Sequence, residues 1–355
     1  MNESELVQLV SPEGERVRHP DYESSLGVDE IFGFYRDMTI IRRICNEATS
    51  LQRQGELALW APVQGQEAAQ IGCGRAMTEK DFGFPTYREH GIAWCRGVPP
   101  LNMLRLFRGV SQGGWDPQHY RFSTPTIVLG DQTLTAVGYA MGIQKDGTDE
   151  ASVAFFGDGA SSQGDVSEAF VWAASFDAPV VFFLQNNQWA ISEPSTLQTK
   201  IPLYRRAEGF GFPGIRVDGN DVLAVYEVTK RALENAHEGG GPTLVEAFTY
   251  RMSPHTTSDD PTRYRTDAEV EVWKHRDPIE RTKALLVREY KYKNSHFEEV
   301  REEAEAIALK LRDDLLSLPD PDPTFIFDNA YAAPHPLIDD GRRDMIELGV
   351  SSVTS

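Results

Sequence analysis

Cysteine is scarce in this sequence, and no run of apolar residues is long. The 355 residues include only 3 cysteines, Cys45, Cys73 and Cys95. An odd number at such wide spacing does not suit a disulfide framework, and it excludes a C-x-x-C pair. We therefore expect a reducing, cytoplasmic location for the chain.

Basic residues and membrane-compatible segments are also lacking. Lys and Arg number 35 against 54 Asp and Glu, which gives a net charge of −19. A chain this negative has no electrostatic footprint for nucleic acid or for anionic lipid. The N-terminal M-N-E-S-E-L-V-Q-L-V has no basic segment followed by an apolar one, and the longest apolar runs, near residues 178–184, are too short to span a bilayer. We expect no secretion, no membrane insertion and no nucleic-acid partner.

The sequence does contain the apolar residues of a folded protein. The apolar fraction is 40%, with 18 Phe, 12 Tyr and 6 Trp, and these values argue against a disordered acidic chain. A length of 355 residues corresponds to one large domain or about two smaller ones. The acidic residues are therefore expected on a folded surface.

Helical periodicity begins at Val28. From there apolar residues recur every three or four positions, which predicts a long amphipathic helix that Gly55 ends. A second helix is predicted at 66–77. In that helix Gly72 and Gly74 would let another backbone approach closely.

The middle of the chain alternates short apolar runs with helical patterns. Helical windows lie between some of the runs, which predicts helices at 161–176 and 221–237 and buried strands at 152–156, 180–185, 214–217 and 243–249. This alternation predicts an α/β fold, a doubly wound and mostly parallel sheet with helices on both faces. Ligands bind such sheets beyond the carboxyl ends of the strands, so the segments after Phe156 and Gln185 are the first candidates for a site.

Two polar loops and a helical end complete the chain. The loops cover 188–202 and 252–266, and long polar loops inside a domain are usually functional. From about Ala268 the pattern is helical, with an acidic stretch at 298–305 and a D-P-D-P linker at 320–323. We expect three regions, namely an N-terminal arm at 1–27, a binding domain at 28–290, and a helical and extended C-terminal region at 291–355.

The stretch V-A-F-F-G-D-G-A-S-S-Q-G-D ends one predicted strand and opens a helix. Gly157 and Gly159 would let the backbone approach an anion at the N-terminus of that helix. A dinucleotide fingerprint is one interpretation, but Ser162 replaces its third glycine and no acid for a ribose ends the next strand. A plain strand-to-helix turn is another, and it needs only the glycines and Asp158.

A magnesium site is the third interpretation. Asp158 between two glycines can hold Mg²⁺, which binds a few protein oxygens together with phosphate oxygens. Asn187 follows the next strand 29 residues onward, so the two side chains should lie side by side at the carboxyl edge of the sheet. The carbonyl of Trp189 could complete the protein ligands.

G-D-G-A followed about thirty residues later by N-N resembles the diphosphate and metal motif of thiamine diphosphate enzymes. The wider context, G-D-G-A-S-S-Q-G-D-V-S-E-A-F to Q-N-N-Q-W-A-I-S, resembles the alpha subunit of the decarboxylating component of 2-oxo acid dehydrogenase complexes, from about Val28 to beyond Arg281. The resemblance implies a thiamine diphosphate-binding fold. It also implies that Mg²⁺ is bound by Asp158, Asn187 and the Trp189 carbonyl, and that the diphosphate is approached by Gly157, Gly159 and Ala160.

Two further segments match the family. In F-P-T-Y-R-E-H-G, Tyr87 and Arg88 occupy positions that bind the diphosphate, a task suited to a planar guanidinium. Without the family, an exposed loop would be the prediction there. By resemblance, His90 lines the channel to the reactive carbon. In I-V-L-G-D-Q, Leu129 matches the residue that supports the bent cofactor, although Leu is also an ordinary core residue. We expect Ile127 of the same segment to bind the cofactor as well.

The polar loop Y-R-M-S-P-H-T-T-S-D-D-P-T-R-Y-R resembles the active-site loop of the family. A lone His in a polar loop is more often solvated than catalytic, but the resemblance implies that His255 contacts the cofactor and the intermediate. Imidazole titrates near neutrality and can protonate or stabilise species at a reacting carbon. Arg251, Arg263 and Arg265 are expected to order this loop over an anionic cofactor.

The resemblance implies an oxidoreductase with two macromolecular partners. A thiamine diphosphate- and Mg²⁺-dependent enzyme of this kind decarboxylates a 2-oxo acid and passes the acyl unit to the lipoyl group of an acyltransferase. In this family a beta subunit supplies the Glu that activates the cofactor. An alpha-2 beta-2 heterotetramer is therefore expected.

The same residues bear on the choice of substrate and on other classes of function. The loop around His255 looks more like the branched-chain 2-oxo acid members, I-V-L-G-D-Q looks closer to the pyruvate members, and acetoin dehydrogenases belong to the same family. We favour a branched-chain substrate. A non-catalytic scaffold would not require Asp158, Asn187, Arg88 and His255 together, and a nicotinamide-dependent dehydrogenase would need the missing ribose acid.

Overall fold

The computed structural model describes residues 6–111, 113–328 and 330–348. Its helices are α1 (Val28–Arg53), α2 (Glu67–Ala76), α3 (His90–Cys95), α4 (Pro100–Arg108), α5 (Pro117–Tyr120), α6 (Asp131–Asp146), α7 (Gly164–Ser175), α8 (Ser195–Gln198), α9 (Arg206–Phe210), α10 (Val222–His237), α11 (Asp267–Lys274), α12 (Pro278–Tyr290), α13 (Asn294–Leu316) and α14 (Pro336–Glu347). Its strands are β1 (Phe82–Phe84), β2 (Ser152–Gly157), β3 (Val180–Asn186), β4 (Trp189–Ala190), β5 (Glu193–Pro194), β6 (Gly214–Asp218) and β7 (Thr243–Phe248). Among these described residues, no helix combines the length and the apolar character of a membrane span.

One parallel sheet organises the chain. Its strand order is β1-β2-β3-β7-β6, and every neighbouring pair runs parallel. In the register of β2 and β3, Gly157 lies opposite Gln185. These two strands therefore end almost level, and the segments that follow them meet at one edge of the sheet.

Alternate residues of the central strands face two different cores. Val153 and Phe155 of β2 belong to a buried cluster that includes residues of α1, α2, α10, α12 and α13. Ala154 and Phe156 belong to a second cluster that includes residues of α6, α7 and α9. Helices thus cover both faces of the sheet, which confirms the predicted doubly wound α/β architecture.

The predicted elements are present, and their ends shift slightly. The predicted strands are all found, each ending one residue from its predicted limit, and α1 and α2 lie where the periodicity placed them. The sequence analysis did not identify β1 or helices α3 to α6. Phe82–Phe84 is too short to show a period, and α6 mixes small and polar residues in D-Q-T-L-T-A-V-G-Y-A-M-G-I-Q-K-D without a clear apolar stripe.

The N-terminal arm is part of the folded structure from residue 6 onward, and residues 1–5 of the predicted arm lie outside the described residues. Val7 forms a parallel bridge to Val217 in β6. The backbone N–H groups of Leu9 and Val10 donate to the buried carboxylate of Asp221 at 2.7 and 2.6 Å. The arm therefore covers the open edge of the sheet, where unpaired backbone groups would otherwise be exposed.

Helix α13 packs along α1 through charged side chains. Arg36 pairs with Glu303 at 2.5 Å and Arg43 pairs with Glu305 at 2.6 Å. The acidic stretch at 298–305 thus faces basic residues of α1. Helix α13 also shares a buried cluster with α1. The domain boundary proposed at residues 290–291, just before α13, stays a prediction.

The two glycines of α2 lie where this helix meets its neighbours. A Cβ atom on Gly72 would be 2.8 Å from Cγ1 of Val225 and 3.0 Å from the carbonyl oxygen of Val222, both in α10. A Cβ atom on Gly74 would be 2.8 Å from Cβ of Cys95. The close approach predicted from these glycines is confirmed.

Gly72→Ala should destabilise the fold. The added methyl group must displace α10 from α2, at a cost of about 1–3 kcal/mol, so the midpoint of chemical unfolding should fall. Gly138→Ala on α6 is the matched control, because no described atom lies within 4 Å of its Cβ position. Ala favours a helix over Gly by about 0.5–1 kcal/mol, so the control should match or exceed the wild type. Equal midpoints for the two variants would contradict the close packing.

Candidate functional site

A cavity of about 260 Å³ lies at the carboxyl ends of β2 and β3. Apart from Ile127 and His90, it contains every residue predicted to bind the cofactor or the metal. The residues that line it are Gln66, Thr86, Tyr87, Arg88, Glu89, Leu129, Gly157, Asp158, Gly159, Ala160, Gln163, Gln185, Asn187, Trp189, Ala190, Ile191 and His255. The structure therefore brings together segments that are far apart in the sequence.

The turn after β2 forms one wall of the cavity. The strand ends at Gly157, a 3-10 turn follows at Ala160–Ser162, and α7 begins at Gly164. The helix thus starts later than predicted, because the turn first closes the shorter i to i+3 hydrogen bonds. A Cβ atom on Gly159 would lie 2.7 Å from Cβ of Ala190, so the glycine lets this turn pack against the hairpin of β4 and β5.

Asp158, Asn187 and Trp189 share one wall of the cavity. The carboxylate of Asp158 is 1% exposed and accepts from Nε2 of Gln198 at 3.4 Å, and burial raises its pKa to about 6. The side-chain oxygen of Asn187 accepts from the backbone N–H of Trp189 at 3.2 Å. The carbonyl oxygen of Trp189 accepts from Arg251 at 3.0 Å.

These three residues offer the oxygen ligands that Mg²⁺ prefers. A carboxylate, a side-chain amide oxygen and a backbone carbonyl each keep a lone pair beyond those used in the hydrogen bonds just described. Within the described part of the chain, no group of three or more His, Cys, Asp and Glu side chains could hold a metal. Mg²⁺ is octahedral, so a cation bound here would complete its ligands with water or with oxygens of a ligand such as a phosphate.

Gln66 adds a buried donor to the same wall. Its Oε1 accepts from Nδ2 of Asn187 at 3.1 Å, while its Nε2 is buried and has no hydrogen-bond partner among the described residues. Buried N–H groups are rarely left unpaired. An anionic oxygen in the cavity would satisfy this donor, so the wall fits a diphosphate beside a metal.

Two buried arginines give the cavity a positive charge. Arg88 is 5% exposed and donates to the carbonyls of Pro62 at 2.7 Å and His255 at 2.9 Å. Arg251 is fully buried and donates to the carbonyl of Trp189. Neither guanidinium pairs with a carboxylate of the residues that the structure describes. Their charge is therefore available to an anionic ligand.

The same arginines contact the imidazole of His255. Nη2 of Arg88 lies 3.2 Å and Nη1 of Arg251 lies 3.4 Å from its Nδ1. A guanidinium only donates, so Nδ1 must accept and the proton of the ring must be on Nε2. Burial and the two guanidinium charges lower the pKa of His255 to about 3. The ring is therefore neutral near pH 7 and keeps one N–H to donate.

Two predicted site residues lie elsewhere. His90 is 4% exposed, its ring stacks on Trp60 with centroids 4.0 Å apart, and its Nε2 lies 3.1 Å from the carbonyl oxygen of Ala61. Burial lowers the pKa of His90 to about 3. His90 does not line this cavity, and its predicted place along the channel to the reactive carbon stays a prediction. Ile127 is 65% exposed and does not line the cavity, and its binding role stays a prediction.

Arg265 orders the loop around His255. Its guanidinium donates to the carbonyls of Arg251, Met252 and Ser253, which matches the role predicted for it. Arg263 is exposed on a 3-10 turn.

Several residues of the wall were not identified from the sequence. Gln66, Gln185 and Ile191 show no local pattern that marks them. The spacing T-x-x-E from Thr86 to Glu89 is a signal that could have been used, because it is the pattern of a capping box. Ile191 has φ +56°, a conformation that β-branched residues rarely adopt and that only coordinates reveal.

Comparison with known proteins identifies the family. The model of the dehydrogenase E1 component matches residues 35–310. The chain belongs to this family. The 3-methyl-2-oxobutanoate dehydrogenase subunit alpha of Mycobacterium tuberculosis strain H37Rv is 45% identical to the E1 chain over 329 residues. The aligned region covers 92% of the E1 chain and 90% of that relative. The pyruvate dehydrogenase E1 component subunit alpha of Staphylococcus aureus strain N315 is 38% identical to the E1 chain over 304 residues. That aligned region covers 85% of the E1 chain and 82% of the relative. The predicted family and the prediction of an oxidoreductase are confirmed.

The lowered pKa of His255 predicts how the stability of the E1 chain depends on pH. The ordinary pKa is 6.5 and the folded value is about 3. As the pH falls below 6.5 the unfolded chain takes up a proton that the folded chain does not, so this contribution to stability is complete above about pH 6.5 and is lost toward about pH 3. His255→Gln should therefore lose less of its thermal midpoint than the wild type between about pH 7 and pH 5.

A variant at an exposed histidine is the control for this measurement. His275 is exposed after α11, and His275→Gln should lose as much of its midpoint as the wild type over the same pH range. An equal loss in His255→Gln and in the wild type would show that folding does not lower the pKa of His255.

Proposed function

We propose that this chain is the alpha subunit of a branched-chain 2-oxo acid dehydrogenase and that it acts in thiamine diphosphate- and Mg²⁺-dependent oxidative decarboxylation. The observation that carries the proposal is the convergence of Asp158, Asn187, Arg88 and His255 on one cavity. The E1 family implies thiamine diphosphate as the cofactor. The oxygen ligands at the ends of the strands support Mg²⁺.

The wall of the cavity has candidate contacts for the metal, for the diphosphate and for the bent shape of the cofactor. Asp158, Asn187 and the Trp189 carbonyl would hold Mg²⁺, and Arg88 would meet the diphosphate where Gly157, Gly159, Ala160 and Tyr87 also line the wall. Leu129, 37% exposed in the same wall, would support the bent cofactor. When bound, thiamine diphosphate supplies the electron sink that decarboxylation requires. The protein supplies position and charge.

His255 would act as a neutral hydrogen-bond donor. Arg88 and Arg251 occupy its Nδ1, so the proton on Nε2 is the one it can offer. A donor placed where negative charge develops stabilises a transition state. The backbone N–H of His255 donates to the carboxylate of Asp259 at 2.8 Å, which helps to fix the loop that carries it.

We infer that a beta subunit completes this cavity. Ile127 and Val128 beside Leu129 are 65% and 70% exposed, and Ile191 in the wall is 55% exposed. Apolar side chains exposed together at the rim of a site fit a protein interface. In an alpha-2 beta-2 heterotetramer the beta subunit would supply the activating Glu, and the acyl unit would pass to the lipoyl group of an acyltransferase.

A branched-chain substrate is favoured over pyruvate. The relative named for 3-methyl-2-oxobutanoate is 45% identical to this chain, against 38% for the one named for pyruvate. The loop around His255 looks more like the branched-chain members of the family, whereas I-V-L-G-D-Q looks closer to the pyruvate members. Pyruvate is therefore the second candidate, and acetoin is a third. The free cysteines Cys45, Cys73 and Cys95 support a cytoplasmic location.

Asp158→Ala should abolish Mg²⁺-dependent binding of thiamine diphosphate while the fold stays intact. Cofactor plus Mg²⁺ should raise the thermal midpoint of the wild type and leave that of the variant unchanged, because binding to the folded state stabilises it. Asp165→Ala is the matched control, since Asp165 is an exposed carboxylate on α7, and it should keep the rise. Chelation of Mg²⁺ should remove the rise in the wild type, far more than added salt does. Binding retained by Asp158→Ala would exclude the metal assignment.

Co-expression with a candidate beta chain tests the function itself. Decarboxylation of 3-methyl-2-oxobutanoate and of pyruvate would be followed with an artificial electron acceptor, and we expect the higher kcat/KM for the branched-chain acid. The reverse order would assign the chain to pyruvate. A full rate from the isolated chain would refute the need for a beta subunit. A complex that binds the cofactor but turns over no 2-oxo acid would instead indicate a scaffold.

A further inference from the structure

Glu89 is a buried carboxylate in the wall of the cavity, and none of the roles proposed above for the wall residues involves it. Its side chain is 4% exposed. Oε2 accepts from the backbone N–H and from Oγ1 of Thr86 at 2.5 and 2.6 Å, and Oε1 accepts from Nε2 of Gln185 at 2.7 Å. Glu89 therefore joins the turn that carries Tyr87 and Arg88 to the end of β3.

The hydrogen bonds continue from Gln185 to fixed backbone groups. Oε1 of Gln185 accepts from Nε2 of Gln70 at 3.1 Å. The same Nε2 donates to the carbonyl of Arg88 at 2.9 Å, and Oε1 of Gln70 accepts from the backbone N–H of Gly91 at 2.8 Å. Both glutamines are buried. The network thus starts at Glu89 and returns to the backbone on either side of it.

Each amide of this network has only one orientation. A carbonyl only accepts and a backbone N–H only donates, so Gln70 must present Nε2 to Arg88 and Oε1 to Gly91. Gln185 must then present Oε1 to Gln70 and Nε2 to Glu89. Every partner of Glu89 donates, so its side chain must accept at both oxygens. An ionised carboxylate does this, and an amide cannot, because it places a donor against a donor.

We propose that Glu89 is a positioning residue for cofactor binding, which through Gln185 fixes the turn that carries Arg88 relative to the strand whose end carries Asn187. The ligand in this inference, thiamine diphosphate with Mg²⁺, rests on the proposed function. Arg88 would meet the diphosphate and Asn187 the metal bound to it. A turn displaced from the strand would lose one contact whenever it makes the other.

An exchange of two residues tests this role. Glu89→Gln leaves two donors face to face, whichever amide of the network rotates. Glu89→Gln combined with Gln185→Glu moves the carboxylate one position along the network and gives every donor an acceptor again. Gln185→Glu alone would oppose two carboxylates. The double variant should therefore bind thiamine diphosphate more tightly and unfold at a higher temperature than either single variant. Additive effects of the two substitutions cannot produce this result.

Two quantities are measured on the full chain purified with its beta partner. One is the dissociation constant of thiamine diphosphate at saturating Mg²⁺, by calorimetry, and the other is the thermal midpoint without cofactor. Glu89→Gln should bind about tenfold more weakly than the wild type and unfold at lower temperature, because a buried donor is left unpaired. The double variant should regain an affinity within about threefold of the wild type and most of the lost midpoint.

Asp81→Asn is the matched control. Asp81 is also a fully buried carboxylate, and it accepts from the backbone N–H groups of Thr78 at 2.7 Å and Ala151 at 3.1 Å. It precedes β1, at the end of the sheet away from the cavity. Asp81→Asn should lower the midpoint and leave the affinity for thiamine diphosphate unchanged, which separates lost stability from lost positioning.

The outcomes distinguish this inference from the function on which it rests. An unchanged affinity in Glu89→Gln would overturn the positioning role, and so would a double variant no better than the single ones. A wild-type complex that binds no thiamine diphosphate would refute the proposed function instead. In that case the thermal midpoints without cofactor still decide whether the side chains of Glu89 and Gln185 are linked by a hydrogen bond.

Discussion

Two guanidinium groups buried without a carboxylate determine the character of this site. The chain carries a net charge of −19, yet Arg88 and Arg251 donate to backbone carbonyls and to the hydroxyl of Tyr264 instead of pairing with a described acidic side chain. Burying a charge is costly unless hydrogen bonds and a counter-ion compensate for it. The unpaired charge therefore favours an anionic ligand, and burial together with this charge keeps His255 neutral.

The parallel sheet places the remaining groups around this charge. Because β2 and β3 end level, Asp158 and Asn187 reach the cavity from neighbouring strands although they are far apart in the sequence. Gly159 then lets the first turn pack against the hairpin that carries Trp189. Asp158 and Asn187, which we propose as metal ligands, thus lie at the edge of the sheet, whereas Arg88 and His255 come from a turn and a loop that hydrogen bonds must hold against it.

The parts of the site that were predictable from the sequence are those that depend on local pattern. Asp158 and Asn187 each follow an apolar run, and the parallel arrangement of such runs places their ends together. The environment of His90 was not predictable, because F-P-T-Y-R-E-H-G does not show that its ring stacks on Trp60. The same holds for Gln66 and Glu89, whose partners Asn187 and Gln185 are distant in the chain. The orientation of an amide is decided by such partners, and no local period reports it.

Backbone strain connects the two halves of the site. Ile191 has φ +56°, which for a β-branched residue costs about 1–3 kcal/mol. Arg251 donates to the carbonyl of Ile191 at 2.6 Å and to the carbonyl of Trp189 at 3.0 Å, and it contacts the ring of His255. The hairpin thus presents two carbonyl dipoles that compensate for a buried charge, and the charge in turn holds the strained hairpin. Because one guanidinium binds both the loop of His255 and the carbonyl expected to ligate the metal, order in either element stabilises the other.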